Sequence, residues 1–395
     1  MSNEKLKVGV IGCGTIAKLG HLPWYDRSEK AEIVALADPD EKKLKKMEKT
    51  YHIEKTYLNP DDLIDDPEID AISICSPHWA HSQQTIRAAK NGKHVLCEKP
   101  IALSLQDVDE MIQVVEKNKV IFQTATQKRF SPGFQMIKED LLEEKLGDVF
   151  HVSIYWYHFI PDLSIPWLRK SLDFLKKLGL DIEKNMGAWR LTDERAGGGD
   201  MMDHVPHYYD LFRFWFGDIA TVSAQVRRVY KSRAHEDHGA MLFSFKNCET
   251  VAVFERSECI TGRIKGQELG RIHGTKGSYF FDVPHEYNLE PMELKKLMFS
   301  LKNYLINRKK KIKLKFPKDK WNLSYAREVR SFINQCLGRS NEDVGFPEEW
   351  IPTIYDGRAA LEGVLATYES SRTNQTIHLP LKTYTPIDWN QEKGG

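Results

Sequence analysis

The sequence predicts an α/β fold whose first part is a doubly wound, parallel-sheet domain. Three observations carry that prediction. Short, continuous apolar runs recur through the first hundred or so residues, helix-forming stretches separate them, and the first run passes straight into a glycine-rich turn. Continuous rather than alternating apolar runs suit strands in a sheet covered on both faces. Strand–helix–strand repetition builds that sheet in parallel.

Val8–Ile11 reads as the first strand, Ile33–Ala37 as the second, Ala71–Cys75 as the third and His94–Cys97 as the fourth. Between them, Asp40 to Tyr51 and Ser82 to Asn91 are helix-forming, and Asn91-Gly92 is a helix stop. The first strand runs into Gly12-Cys13-Gly14-Thr15-Ile16-Ala17, a G-x-G-x-x-A turn. Gly12 makes the tight turn, Gly14 admits a pyrophosphate to the backbone, and Ala17 packs the next helix on the strand. The N-terminus of that helix faces the phosphates. Asp38 ends the second strand 24 residues after Gly14. A carboxylate there accepts from the adenosine ribose hydroxyls and repels a 2′-phosphate, which favours NAD over NADP. The prediction is therefore a Rossmann dinucleotide-binding domain. Ser76-Pro77-His78-Trp79-Ala80-His81 follows the third strand and Glu98-Lys99-Pro100 the fourth, at the strand ends where open α/β sheets bind ligands. Taken alone, a lysine at a strand end is more often a solvated side chain than a proton-transfer group.

At 395 residues the chain has room for two or three domains, taking roughly 150 residues for each. Hydrophobic residues at 41% and charged residues at 29% are ordinary for a globular protein. A net charge of +1 and a pI near 7.7 argue against a dedicated nucleic-acid or membrane-surface binder. No apolar run approaches the roughly 18–20 residues that span a bilayer. Met1–Lys5 leads directly into a strand-like run, so no secretory signal is expected. The six cysteines form no C-x-x-C pair and read as free thiols in a reducing compartment, which predicts a cytoplasmic protein.

The sequence is identified as a member of the glucose–fructose oxidoreductase / inositol dehydrogenase (Gfo/Idh/MocA) family, which it resembles nearly end to end. The marks occur in order: the glycine turn; Ser76, Pro77 and His81; Gly92 to Pro100 with its E-K-P ending; Gln127-Lys128-Arg129-Phe130-Ser131-Pro132; and Gly197 to Asp210 with its D-x-x-x-H pair. His273 to Gly277 and a terminal helix from Asp356-Gly357-Arg358 to Ser371 complete them. The resemblance implies a C-terminal α+β domain with an open, mostly antiparallel sheet whose face covers the nicotinamide. Strand-like runs at Phe150–Ile154, Thr221–Val226, Met241–Phe245 and Thr250–Phe254 lack regular intervening helices, in agreement. The expected division is a dinucleotide-binding domain over 1–126 and a substrate-binding and oligomerisation domain over 127–395, with inserts near 156–196 and 290–322.

Asp203 and His207 are four apart, which on a helix puts both on one face, with Asp210 continuing the stripe. The resemblance makes Lys99, Asp203 and His207 the catalytic trio. His207 takes the substrate proton, Asp203 orients or shares it, and Lys99 holds the alcohol oxygen. It implies cofactor contacts from Gly12, Gly14, Thr15, Ile16, Asp38, Ser76, Pro77, His81, Glu98, Lys99 and Gln127. The chain departs from the family at Val205, where glycine is usual, and at Pro206, which kinks or restarts the helix. His78 replaces a common asparagine, and His204 is expected to point away from the site. Asp203, His204 and His207, with His158, are residue types that ligate metals. Hydride transfer needs none, and no metal is expected.

Trp156, Tyr157, His158, Trp167, Trp189 and Arg190 surround a Lys-rich run from Leu168 to Lys184. They read either as a wall for sugar or cyclitol faces or as a lid or dimer-contact helix. Arg129, His158, Trp189 and Arg190 are the candidate substrate contacts. Residues 292–306 carry an amphipathic stripe, and 308–320 hold eight basic residues and one acid, leaving the rest of the chain with 49 basic and 55 acidic residues. That arm reads as a solvated insert or a contact for a partner subunit's acids. The expectation is an NAD-dependent dehydrogenase acting on a secondary hydroxyl of a polyol or sugar, as a homodimer or homotetramer. The alternatives are an NAD-retaining glycosidase that uses transient oxidation, and a non-catalytic nucleotide-binding regulator.

Overall fold

The computed structural model describes residues 5–158, 160, 189–259, 267–284, 322–382 and 384. Trp167, the run Leu168 to Lys184, the stripe over 292–306 and the basic stretch 308–320 lie outside the described residues. Six strands, β1 (Leu6–Ile11), β2 (Ala31–Ala37), β3 (Lys55–Tyr57), β4 (Ala71–Ile74), β5 (His94–Glu98) and β6 (Phe122–Ala125), form a parallel sheet in the order β3-β2-β1-β4-β5-β6. A π turn at Ala17–His21 leads into α1 (Leu22–Asp26). It is followed by α2 (Glu41–Tyr51), α3 (Pro60–Ile64), α4 (His78–Lys90) and α5 (Leu105–Asn118). The side chains of Asp40 and Ser104 cap α2 and α5 by accepting from the backbone N–H groups of their first turns. Both helices stop on a left-handed residue, His52 and Lys119. Strand order reverses between β1 and β4, which opens a crevice at their carboxyl ends beside Gly12 and Ser76.

After a 3₁₀ turn at Gln127–Phe130, the chain builds α6 (Pro132–Leu142), β7 (Val149–Tyr157), α7 (Trp189–Thr192), α8 (Asp200–His204) and α9 (Pro206–Phe216). Then come β8 (Ile219–Arg227), β9 (His238–Phe245), β10 (Val251–Ser257), β11 (Gln267–Gly274), β12 (Ser278–Pro284), α10 (Asn322–Cys336), α11 (Ile354–Thr373) and β13 (Ile377–His378). The second sheet has the order β12-β11-β7-β10-β9-β8-β13 and is antiparallel except for the β7–β10 pair. This is the open, mostly antiparallel sheet of a C-terminal α+β layer. Tyr208 and Phe212 of α9 and Tyr368 of α11 pack against Phe243 and Phe254 of its inner face, in a core that also takes in Ile72 and Ile74 of β4. A capping box of Thr353 and Asp356 starts α11. Far along the chain, α10 returns to the first sheet. Its Val329, Phe332 and Ile333 share a core with Leu6, Val8 and Val10 of β1. No helix among the described residues is long and apolar enough to cross a membrane.

Candidate active site

The β1–α1 loop has the shape of a phosphate cradle. Gly12 sits at φ +91°, and a Cβ there would lie 2.5 Å from the Cys75 carbonyl oxygen, so only glycine fits. A Cβ on Gly14 would meet nothing within 4 Å, which leaves its backbone open to a ligand where Thr15 and Ile16 begin the helical turn. Asp38, 7% exposed, accepts from the N–H of Cys13 through Oδ2 at 2.7 Å and from the N–H of Asp40 through Oδ1 at 2.8 Å. The carboxylate thus shapes the glycine loop while keeping lone pairs on both oxygens for ribose hydroxyls. These residues fit a dinucleotide.

The loops after β4 and β5 carry residues that the family resemblance placed on the cofactor, and one of them ties the two loops together. His81 is fully buried, with Nδ1 2.8 Å from the Pro100 carbonyl and Nε2 2.8 Å from the Ser76 carbonyl, so the ring clamps the two loops. Ser76 donates to Gln84, and Pro77 is the residue before α4. Glu98 turns inward: Oε1 is 3.0 Å from His21 Nε2, and Oε2 accepts from the Lys99 N–H at 3.3 Å. Gln127 is buried with its side-chain oxygen unpartnered at the start of the 3₁₀ turn.

Lys99 leaves this loop to meet α8. Its Nζ donates to the Asp203 backbone carbonyl at 2.8 Å and to Oδ1 at 3.1 Å. On the other oxygen of Asp203, Arg190 Nε stands 2.9 Å from Oδ2. His78 Nε2 is 3.5 Å from Oδ1, and His204 Nδ1 is 3.5 Å from Oδ2. Burial would raise the Asp203 carboxyl, but the Arg190 and Lys99 charges hold it well below the usual carboxylate range. His207 is 4% exposed with Nδ1 unpartnered. Burial, helped by the Lys99 and Lys128 charges, keeps the imidazole well below its ordinary range and so neutral. The expected single helix face is a junction of two helices. Pro206 cannot donate back, so α8 ends and α9 begins across Val205, whose backbone remains right-handed and keeps both residues on this side.

Behind Asp203 lies a buried charged layer. His204, expected to point away, sits with Nδ1 2.7 Å from Asp200 Oδ1, and Arg256 Nη2 is 2.8 Å from the same oxygen. Arg233 Nη1 lies 2.9 Å from Glu258 Oε2. Burial pushes Asp200 up to about 6 and Glu258 up to about 7, and pushes His204 down to about 3. Asp200, His204 and Glu258 have metal-like spacing among the described residues, but the Arg256 guanidinium already stands where a cation would balance Asp200. Deeper still, Lys128 pairs with Glu268 at 2.7 Å beneath the rings of Tyr208 and Trp156.

Of the candidate substrate contacts, Arg190 and Trp189 reach the centre. The Trp189 ring is edge-on to His78 at 4.8 Å and to Trp79 at 5.2 Å. His158 is half-buried, its ring 6.4 Å from that of His204. Arg129 is a correction. Its fork is spent on Asp210 at 2.7 and 2.6 Å and on Asp356 at 2.8 Å, with the Trp350 carbonyl at 3.3 Å, so it is a buried tie between elements and not a substrate contact. Reasoning from sequence missed Arg256 and Glu268, although strand parity marks both. Arg256 follows inward Ala252 and Phe254 at i+2 spacing, and Glu268 precedes inward Ile272.

Two family models match this chain. Residues 6–126 match the model of an oxidoreductase family with an NAD-binding Rossmann fold, and residues 134–280 match the GFO/IDH/MocA C-terminal domain. Myo-inositol 2-dehydrogenase of Thermotoga maritima is 28% identical over 71% of this chain and 76% of its own. The scyllo-inositol 2-dehydrogenase (NAD(+)) of Bacillus subtilis is 28% identical over 96% of this chain and 98% of its own. Among solved structures, the WlbA dehydrogenase of Bordetella pertussis, in complex with NADH and UDP-GlcNAcA, has the same fold. Its TM-score is 0.72 at 20% identity, covering 96% of this chain and 100% of its own.

Proposed function

The chain belongs to the GFO/IDH/MocA family of NAD-binding oxidoreductases, and from that premise we propose that it interconverts a secondary hydroxyl and the ketone on a cyclitol or sugar. The observation that carries this reading is the convergence of Lys99 on Asp203 beside a buried, neutral His207 with an unpartnered ring nitrogen. Bound NAD supplies the hydride acceptor for oxidation or, reduced, the donor for the reverse reaction. Gly12, Gly14, Thr15 and Ile16 hold its pyrophosphate, and Asp38 selects against a 2′-phosphate. Lys99 Nζ, fixed by two oxygens of Asp203, donates to the substrate oxygen and stabilises negative charge as it develops. His207, neutral at physiological pH, accepts the hydroxyl proton. Asp203, ionised between two cations, steadies the positive charge that His207 then acquires. Trp79 and Trp189 offer flat apolar rings to the C–H faces of a ring substrate.

The test is the full chain with NAD and a panel of cyclitols and sugars, followed by NADH absorbance. Turnover that falls about 10²–10⁴-fold in Lys99→Met and His207→Gln is the expected result. Full turnover in either variant overturns the assignment, and release of the aglycone from a glycoside without net NADH turns it to the NAD-retaining glycosidase. A second copy of the chain docks on the outward face of the mixed sheet, where Leu242, Val251 and Phe280 are exposed, giving a homodimer or homotetramer that a sedimentation mass checks. A cytoplasmic setting is supported by six cysteines that are all free thiols.

A further inference from the structure

The reaction centre holds two cations that share a single carboxylate. Each other basic side chain packed about it has a carboxylate of its own. Lys128 pairs with Glu268, Arg129 with Asp210 and Asp356, Arg195 with Asp193, Arg233 with Glu258 and Asp237, and Arg256 with Asp200. Lys99 and Arg190 instead share Asp203, one on each oxygen, at 3.1 and 2.9 Å. Among the described residues, no second carboxylate lies within ion-pair distance of either side chain.

Arg190 is also the member of the group that faces outward. Its side chain is 34% exposed, against 6% for Asp203 and 12% for Lys99. The contact with Asp203 runs through Nε, which leaves the terminal fork of the guanidinium for another acceptor. That fork is held in place: the guanidinium lies 4.7 Å from the Trp189 ring centre, and Trp189 is braced edge-on by His78 and Trp79.

We infer that the substrate is a sugar acid or an acidic cyclitol, whose carboxylate seats on Arg190 while its hydroxyl faces Lys99 and His207. A carboxylate matches the planar fork with two parallel, charge-assisted hydrogen bonds. A neutral polyol offers that half-exposed fork no charged, two-oxygen acceptor. The inference rests on the hydroxyl oxidation proposed above and adds the charge of the substrate to it.

The experiment compares kcat/KM with NAD for D-glucose, myo-inositol, D-gluconate, D-glucuronate and D-glucose 6-phosphate, in the parent chain, Arg190→Gln and Arg190→Lys. The expected result is a preference of about tenfold or more for the carboxylates over the neutral compounds, carried mainly by KM. Arg190→Gln brings that ratio near one and Arg190→Lys keeps part of it. A ratio near one in the parent chain overturns the inference, as does a ratio that survives Arg190→Gln or a preference for the phosphate ester. A merely structural Arg190 would slow all substrates alike and leave the ratio in place. Failure of the underlying reading looks different. NAD would still quench the tryptophan fluorescence, yet no compound would yield NADH, and the inference would fall with it.

Discussion

His207 and Asp203 illustrate how one buried site sets two titrating groups apart. Burial and the neighbouring Lys99 and Lys128 charges favour the neutral imidazole, whereas Arg190 and Lys99 outweigh burial and keep Asp203 charged. His207 accepts a proton only in its neutral form, so activity is lost as pH falls through its folded-state value. That value is depressed, so the acid limb of kcat/KM is expected below the ordinary histidine value of about 6.5, rather than at it. A limb at or above that value, read from the pH profile with saturating NAD, contradicts the environment described for His207. Lys99, Asp203 and His207 were legible as residue types in a known pattern. The pairing of Lys99 with Asp203 spans 104 positions, and the capture of Asp203 by Arg190 depends on where α7 is laid down; neither follows from local spacing.

Loops and short helices divide the work between cofactor and scaffold, and substitutions separate the two. Gly12→Ala combines a left-handed φ with a Cβ 2.5 Å from the Cys75 carbonyl, so it should destabilise the fold by about 2 kcal/mol or more. Gly14→Ala has open space around the new methyl and should leave the melting temperature within a degree or two while weakening NAD binding about tenfold or more. Fluorescence titration with NAD and a thermal melt on each variant check the contrast. Arg129 ties the 3₁₀ turn at Gln127–Phe130 to α9 and α11, and Arg129→Met would strand Asp210 in the core. The expected loss is about 3–5 kcal/mol in chemical denaturation, with KM unmoved at temperatures where the variant is folded. A raised KM with stability intact would return Arg129 to the substrate side. Element by element, four of the six parallel strands were readable because each is a continuous apolar run. The inward charges Arg256 and Glu268 left only a parity signal, because a charged residue inside a strand looks solvated until a partner is brought across from another element.

Across the whole molecule, buried histidines and buried carboxyls pull stability in opposite directions with pH. Burial lowers His78 to about 4 and His204 to about 3, and lowers His207 as well. The unfolded chain therefore binds protons first as pH drops below about 6.5, and stability is lost. Burial raises Asp200 to about 6, and Glu236 and Glu258 to about 7, so the folded chain binds protons first from there down to about 4, and stability is gained. Below about 4 the carboxyl gain is complete, the histidine cost still grows, and Asp203 and Asp356, the latter held against burial at about 2 by Arg129, begin to lose their stabilisation. The unfolding midpoint is thus expected to change little from about pH 7 to 4.5 and to fall steeply below about 4. A melt series already falling steeply between about pH 7 and 5.5 would refute that balance. Apolar runs, turn chemistry and short motifs are local, so the parallel sheet, the glycine turn and the residue types at the candidate centre were legible in the chain. Tertiary structure alone decided that α10 returns to cover the first sheet, that Arg129 is a tie, that His81 is a clamp and that Arg190 shares Asp203 with Lys99. Charge pairing inside a protein is a property of space: a buried group takes whichever partner the fold brings within reach, however far away it lies along the chain.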